Sequence, residues 1–318
     1  MNIRKFTAYL HSADILIIGF ATLLTVVNLV FAFRIPLWWR LIIVNCSATV
    51  MICLLGYARH VTGSKILAFI HDWYVPPMVF FSFKELYFMI KPIHLGADYD
   101  DVLIAIDRWM FGVNPTEWLM RVANPPLTEI LQIAYTLFYF LFIVVGYELY
   151  RRHNLDLFRY FVFICAYGFF LSYIGYFFLP AVGPRFTLHD FSALDRDLPG
   201  LFLTPYLRWF VNAGESIPMG VSNEVAIAGT QRDVFPSGHT MLTLVLMYLS
   251  SRYELKCRYF MYVTGTLLII ATVYQRYHYV IDLMGGATFM LLCISTAPRL
   301  SMYIKRHFAT MESRLPAA

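Results

Sequence analysis

Charge is what this chain has least of. Only 14% of its 318 residues are Asp, Glu, Lys or Arg, while 59% are hydrophobic and the mean hydropathy is +0.61. Soluble domains carry about 25% charged residues, so too little polar surface is present to cover a soluble globule of this size. A disordered chain, which needs high charge and few apolar residues, is excluded by the same scarcity. Cysteine is also sparse: Cys46, Cys53, Cys165, Cys257 and Cys293 form no CxxC or Cys/His pattern, and four of the five lie in apolar runs. That excludes a disulfide-stapled secreted domain and a thiolate metal site. There is no HExxH motif, no internal repeat and no low-complexity linker. The net charge of +5 is weak and scattered, so nothing points to nucleic acid.

Apolar length is what remains. About eight runs, near 13–33, 37–57, 67–90, 128–148, 160–180, 236–250, 260–276 and 278–298, approach the roughly 20 residues that a bilayer core demands. The first lacks a small-residue cleavage site and is too long for a removable signal peptide. The expected fold is all-α: a polytopic membrane bundle of about eight transmembrane helices.

Lys and Arg then give an orientation. The N-terminus, the segments near 58–66, 149–159 and 251–259, and the C-terminal tail hold 14 basic residues against five acidic ones. The alternate loops hold ten basic and 13 acidic residues. Both termini are therefore expected in the cytoplasm. The long loops 91–127 and 181–235, and the turn near 277, are expected outside: periplasmic in a bacterium, lumenal in a eukaryote. Within the long loops, 101–111 places Val102, Leu103, Ile106, Trp109 and Met110 on one helical face, with Asp107 and Arg108 opposite. The stretch 201–210 is similarly apolar. Both are expected to lie in the membrane interface, as a lid or as a rim guiding a lipid headgroup.

Two motifs carry chemistry. Phe235-Pro236-Ser237-Gly238-His239-Thr240 opens the sixth run. Proline suits the first position of a helix, and the free N–H groups that follow bind anions, phosphate above all. Gly238 allows close approach to the backbone, Ser237 adds a hydroxyl, and His239 can give or take a proton there. The second motif, Arg276-Tyr277-His278-Tyr279-Val280-Ile281-Asp282, sets His278 and Asp282 four residues apart, hence on one helix face. Asp282 can hold one imidazole nitrogen and leave the other as a nucleophile. Ionisable pairs inside a membrane span are costly, which marks this one as functional. Arg185, in Gly183-Pro184-Arg185, supplies a guanidinium fork suited to phosphate oxygens. The charge count puts Arg185, His239 and His278 on one side.

Pro236-Ser237-Gly238-His239 followed by His278-x-x-x-Asp282, with Gly183-Pro184-Arg185 upstream, resembles the type 2 phosphatidic acid phosphatase superfamily over roughly 180–290. The Asp98-Tyr99-Asp100 stretch and Ile106-Asp107 before Phe111-Gly112 look most like its inositol phosphotransferase branch, which includes inositol phosphorylceramide synthases. The resemblance implies a metal-independent lipid phosphatase or phospho-headgroup transferase without cofactor. His278 would attack phosphorus and form a phosphohistidine, His239 would protonate the leaving group, and Asp282 would orient His278. Arg185, Ser237, Gly238 and Arg276 would hold phosphate oxygens. The phosphoryl group would pass to water or to a lipid alcohol such as ceramide or diacylglycerol. The expected layout is an N-terminal transmembrane hairpin at 1–65, which the resemblance does not reach, a catalytic membrane domain at 66–300 and a basic cytoplasmic tail at 301–318.

The sequence departs from the pattern at Phe178 and Phe186, where the family has lysine and proline, and at Thr272, where it has arginine. Arg276, Arg232 and Lys84 are the candidates to replace the missing cations. Two other classes fit the composition. A non-catalytic lipid binder would tolerate loss of His278. A metal-dependent hydrolase using His239, His278 and Asp282 as ligands would be lost to chelator.

Overall fold

Each apolar run becomes a helix or a helix pair, because a backbone in lipid must satisfy its own hydrogen bonds. The structure is a computed structural model that describes residues 7–152, 154–218 and 220–308. Arg4, Lys5, Glu312 and Arg314 of the charge count, and the last residues of the expected tail, lie outside the described residues, as does His153. Among the described residues there are helices and no strand. Helices α1 (Ser12–Val30), α2 (Trp38–Thr62), α3 (Lys65–Trp73), α4 (Val75–Ile93), α5 (Asp100–Phe111), α6 (Pro115–Leu119), α7 (Pro125–Thr136) and α8 (Phe138–Arg151) make up the first half. The second half holds α9 (Leu155–Tyr176), α10 (Pro184–Thr187), α11 (Leu194–Asp197), α12 (Thr204–Glu215), α13 (Asn223–Gly229), α14 (Gly238–Arg252), α15 (Arg258–Tyr274) and α16 (Val280–Phe308).

Among the described residues, five stretches are long and apolar enough to cross a membrane: α1, α2, Lys65–Ile93, α9 and α16. The pair α7 and α8, bent by 50° at its break, makes a sixth if counted as one span. The sixth and seventh apolar runs form α14 and α15, of 15 and 17 residues. They fall short of the ~20 residues a perpendicular crossing requires.

The chain divides into two compact units. The first comprises Met1–Leu95, Leu149–Leu171 and Leu291–Ala318. Gly56 lets α2 approach the preceding segment, since a Cβ there would lie 2.9 Å from the Tyr9 carbonyl oxygen. Phe20 stacks on Phe170 at 4.0 Å. Two polar networks are buried in this unit. Asn28 and Asn45 each donate an amide N–H to Glu85, at 3.0 and 2.8 Å. The other network joins His11, Asp14, Arg59, His71, Asp72, Tyr74 and Arg159.

The second unit comprises Gly96–Glu148 and Ser172–Met290. There α15 packs against both α14 and α7, and α12 packs against α7. Leu131, Tyr135, Leu194, Leu198, Val211, Ala271, Tyr274 and Tyr277 form its main core. Glu129 tethers the start of α12, accepting the backbone N–H groups of Leu201, Phe202, Leu203 and Thr204. A single carboxylate thereby holds the segment leading into the helix and the N–H groups of its cap residue and first residue.

Helix α5 is turned differently from its expected amphipathic reading. Its buried residues are Asp100, Leu103 and Asp107, whereas Val102 and Trp109 face outward, Trp109 at 85% exposure. The apolar set is split and the acidic stripe lies inside. The reason is hydrogen bonding: both carboxylates accept backbone N–H groups that nothing else would satisfy.

Candidate active site

The second motif forms its turn because Arg276 adopts a left-handed φ of 67°. The chain leaves α15 there and enters α16 four residues later. Asp282 caps its own helix, its Oδ2 accepting the Tyr279 N–H at 2.7 Å. The same Oδ2 lies 3.4 Å from Nδ1 of His278. Asp282 Oδ1 and His278 Nδ1 are both buried without a hydrogen-bond partner.

The first motif starts its helix later than expected. Ser237, not Pro236, is the boundary residue, and its Oγ accepts the Thr240 N–H at 3.2 Å, so α14 begins at Gly238. That side chain is already a helix cap of the ordinary kind. A Cβ on Gly238 would lie 2.6 Å from the Tyr176 hydroxyl. The two motifs meet because Gly286 has no side chain: a Cβ there would lie 2.6 Å from the Ser237 carbonyl oxygen. The Ser237 N–H donates to the Asp282 carbonyl at 3.0 Å.

His239 and His278 come together, with ring centroids 5.7 Å apart. Tyr135 stacks on His239 at 4.8 Å, and Phe138 packs on it at 4.4 Å. Tyr277 stacks on the other face of Tyr135 at 4.1 Å, and the Arg185 guanidinium lies 4.8 Å from the Tyr277 ring centre. His239 Nε2 is buried without a hydrogen-bond partner.

Gly183 delivers Arg185 with a φ of 97°, and a Cβ there would crowd the Tyr277 carbonyl at 3.0 Å. The Arg185 N–H donates to the Arg276 carbonyl at 3.0 Å, tying the two turns together. Its Nη2 pairs with Glu215, while Nη1 is buried without a partner. Burial disfavours the Arg185 charge, but the Glu215 carboxylate outweighs it and the guanidinium stays firmly protonated. Burial, aided by His239 and Arg185, holds His278 well below the ordinary histidine value. A neutral imidazole is the form that has a lone pair to offer.

The other predicted residues are engaged elsewhere. Arg276 turns its side chain to Asp197, 3.2 Å from Nη1, and to the Met120 sulfur. Arg232 grips Asp98 through Nε and Nη2, at 3.1 and 3.2 Å, and two backbone carbonyls through Nη1. It clamps a loop. Lys84 belongs to the first unit, where its amine lies over Phe80 and Phe83 at 5.4 and 5.9 Å. Among the described residues, no group of three or more His, Cys, Asp or Glu could hold a metal ion.

The sequence model of the PAP2 superfamily matches residues 101–296, a segment that holds both motifs and Arg185. The chain belongs to the PAP2 superfamily. That makes it a phosphatase-type membrane enzyme. No curated protein and no solved structure matches it.

Around the PAP2 motifs lie residues that their pattern did not flag. Glu215, Tyr135, Phe138 and Tyr277 surround the histidines and Arg185. Asp100 accepts the Val182 and Gly183 N–H groups, at 3.0 and 2.8 Å. Asp107 accepts those of Val280 and Ile281, at 2.8 and 2.9 Å. Burial raises both aspartates above the usual carboxylate range, against these hydrogen bonds. Both stand in the stretches that carry the resemblance to the inositol phosphotransferase branch, without a role assigned, and they are seven residues apart, about two helical turns on one face.

Proposed function

We propose that the protein transfers a phosphoryl group from a lipid phosphate or phosphodiester through a phosphohistidine, at the non-cytoplasmic face of a membrane. A ring nitrogen of His278 attacks phosphorus, and the bond to the leaving alcohol breaks. His239 gives that alcohol its proton. His239 then takes the proton of the acceptor, water or a lipid alcohol such as ceramide or diacylglycerol, as the acceptor oxygen displaces His278. Asp282 orients His278 and favours the cation that forms on it. Arg185 binds phosphate oxygens, joined by backbone N–H groups near Ser237 and Gly238. The catalytic domain is the membrane segment 66–300, with both termini cytoplasmic.

One observation carries this reading. His239 Nε2, His278 Nδ1, Arg185 Nη1 and Asp282 Oδ1 are buried and unpartnered within one cluster. Unsatisfied buried polar atoms cost about 1–3 kcal/mol each. A phosphoryl ligand would satisfy Arg185 Nη1 and His239 Nε2 together, while Asp282 faces His278 Nδ1. The test uses purified protein in micelles with radiolabelled lipid phosphates, with and without ceramide, diacylglycerol or polyprenol. Turnover should survive EDTA, fall with vanadate and vanish in His278→Ala. Full activity of that variant sinks the reading. Free phosphate as product identifies a phosphatase, a new phospholipid a transferase.

A further inference from the structure

We propose that Asp100 and Asp107 are positioning residues, which hold the arginine segment and the nucleophile segment in register from a single helix. The proposal rests on the reading of His278 as nucleophile. Arg185 and His278 are far apart in sequence, so chain connectivity alone does not fix their separation. Helix α5 does. At its start, Asp100 takes two successive N–H groups, of Val182 and Gly183, just ahead of Arg185. Near its end, Asp107 takes two more, of Val280 and Ile281, in the first turn of the helix that carries Asp282. Between them Leu103 packs against Ala181, Val234 and Tyr279.

Two bonds to one carboxylate fix the direction of a segment as well as its distance. Tyr279 adds a cross-link, donating its hydroxyl to Asp100 Oδ1 at 2.8 Å while standing 2.7 Å from Thr187 Oγ1. Tyr279 follows the candidate nucleophile directly, and Thr187 lies two residues past Arg185. A helix of 12 residues is stiff on this scale. Moving either carboxylate would move a candidate catalytic segment relative to the other, and a displacement of about 1 Å costs about 10²-fold in rate.

Two substitutions attack the same bonds from opposite ends. Asp107→Asn keeps the shape but turns an amide NH2 toward one of the two N–H donors. Val280→Pro leaves Asp107 intact and removes one donor at the first helical position, where proline is tolerated. Both are assayed in micelles on dioctanoyl phosphatidate beside wild type and His278→Ala, with thermal unfolding in parallel. Asp107→Asn should lower kcat by about 10²-fold, and Val280→Pro by less. KM should move by no more than about threefold, because the lost interaction is felt in the transition state. A merely structural role predicts a lower unfolding temperature with wild-type kcat in the folded fraction, which overturns the proposal. If Asp107→Asn does not fold, Val280→Pro decides by the same criterion. Activity surviving His278→Ala removes the nucleophile reading and this proposal with it. An inactive His278→Ala beside wild-type kcat in the two clamp variants removes this proposal alone.

Discussion

Each unit of the molecule buries a histidine–aspartate pair, and the two pairs are built to opposite specifications. In the first unit, His71 Nε2 lies 2.7 Å from Asp14 Oδ2, and its Nδ1 lies 3.1 Å from the Arg59 guanidinium. Asp14 also accepts the Tyr74 hydroxyl at 2.6 Å and the His11 N–H at 2.7 Å. Both ring nitrogens and both carboxylate oxygens are thus occupied. In the second unit, His278 stands 3.4 Å from Asp282, and the facing nitrogen and one oxygen have no hydrogen-bond partner. The same two residue types make a closed pair in one place and an open one in the other. A closed network resists change; an open one has capacity for a ligand. Residue identity does not separate a structural pair from a chemical one, whereas the state of its hydrogen bonds does.

That contrast can be broken by experiment. The largest effect should come from exchanging the two histidines for alanine. His278→Ala should abolish turnover and spare the unfolding temperature. His71→Ala should cost about 3–5 kcal/mol of stability by stranding buried charge, with kcat in the folded fraction unchanged. Loss of kcat in folded His71→Ala would erase the distinction. Next, Arg185→Lys keeps the charge but loses the fork, and should lower kcat by about 10²-fold.

A smaller effect, of opposite sign, tests the counterion. Glu215→Gln removes the carboxylate that competes for Arg185 and should tighten vanadate inhibition by on the order of tenfold. Unchanged or weaker inhibition would mean that Glu215 does not oppose the anion. The smallest is a pH effect at His189, whose Nε2 lies 3.0 Å from Thr116 Oγ1. Burial lowers His189 to about 4 from its ordinary 6.5, so the folded state binds fewer protons than the unfolded one between those values. Its contribution to stability is present above about 6.5 and lost as pH falls toward 4. The unfolding temperature of wild type relative to His189→Gln should drop across that window; a flat difference would remove the assignment.

The helical class and the two motifs were legible in the sequence because both depend on local patterns. Apolar runs report a membrane, and the four-residue spacing does bring His278 to Asp282, but as a residue ahead of α16 facing a capping carboxylate, not as two residues on one helix face. Arg185 was legible as a fork beyond a Gly-Pro turn. Glu215 was not, since it pairs with an arginine 30 residues earlier and stands in no recognisable pattern. Arg232 was misleading for the same reason: a loop arginine shows its charge in the sequence but not its partner, here Asp98. The orientation of α5 was read from hydropathy, which assigns carboxylates to the outside. The inside contains the backbone donors of Val182, Gly183, Val280 and Ile281, which those carboxylates accept. Ser237, expected to give a hydroxyl to phosphate, also caps a helix that starts at Gly238, two residues later than expected.

The Arg185–Glu215 pair has a consequence for selectivity among anions. Glu215 already neutralises the Arg185 charge, so chloride or acetate, which bring no more charge than Glu215, gain only the one donor left at Nη1 and must shed their hydration to enter. An anion displaces the internal carboxylate only if it carries more charge or reaches the two histidines as well. The resting site therefore sets a threshold: abundant monoanions fall below it, and a phosphoryl group able to span the whole cluster rises above it.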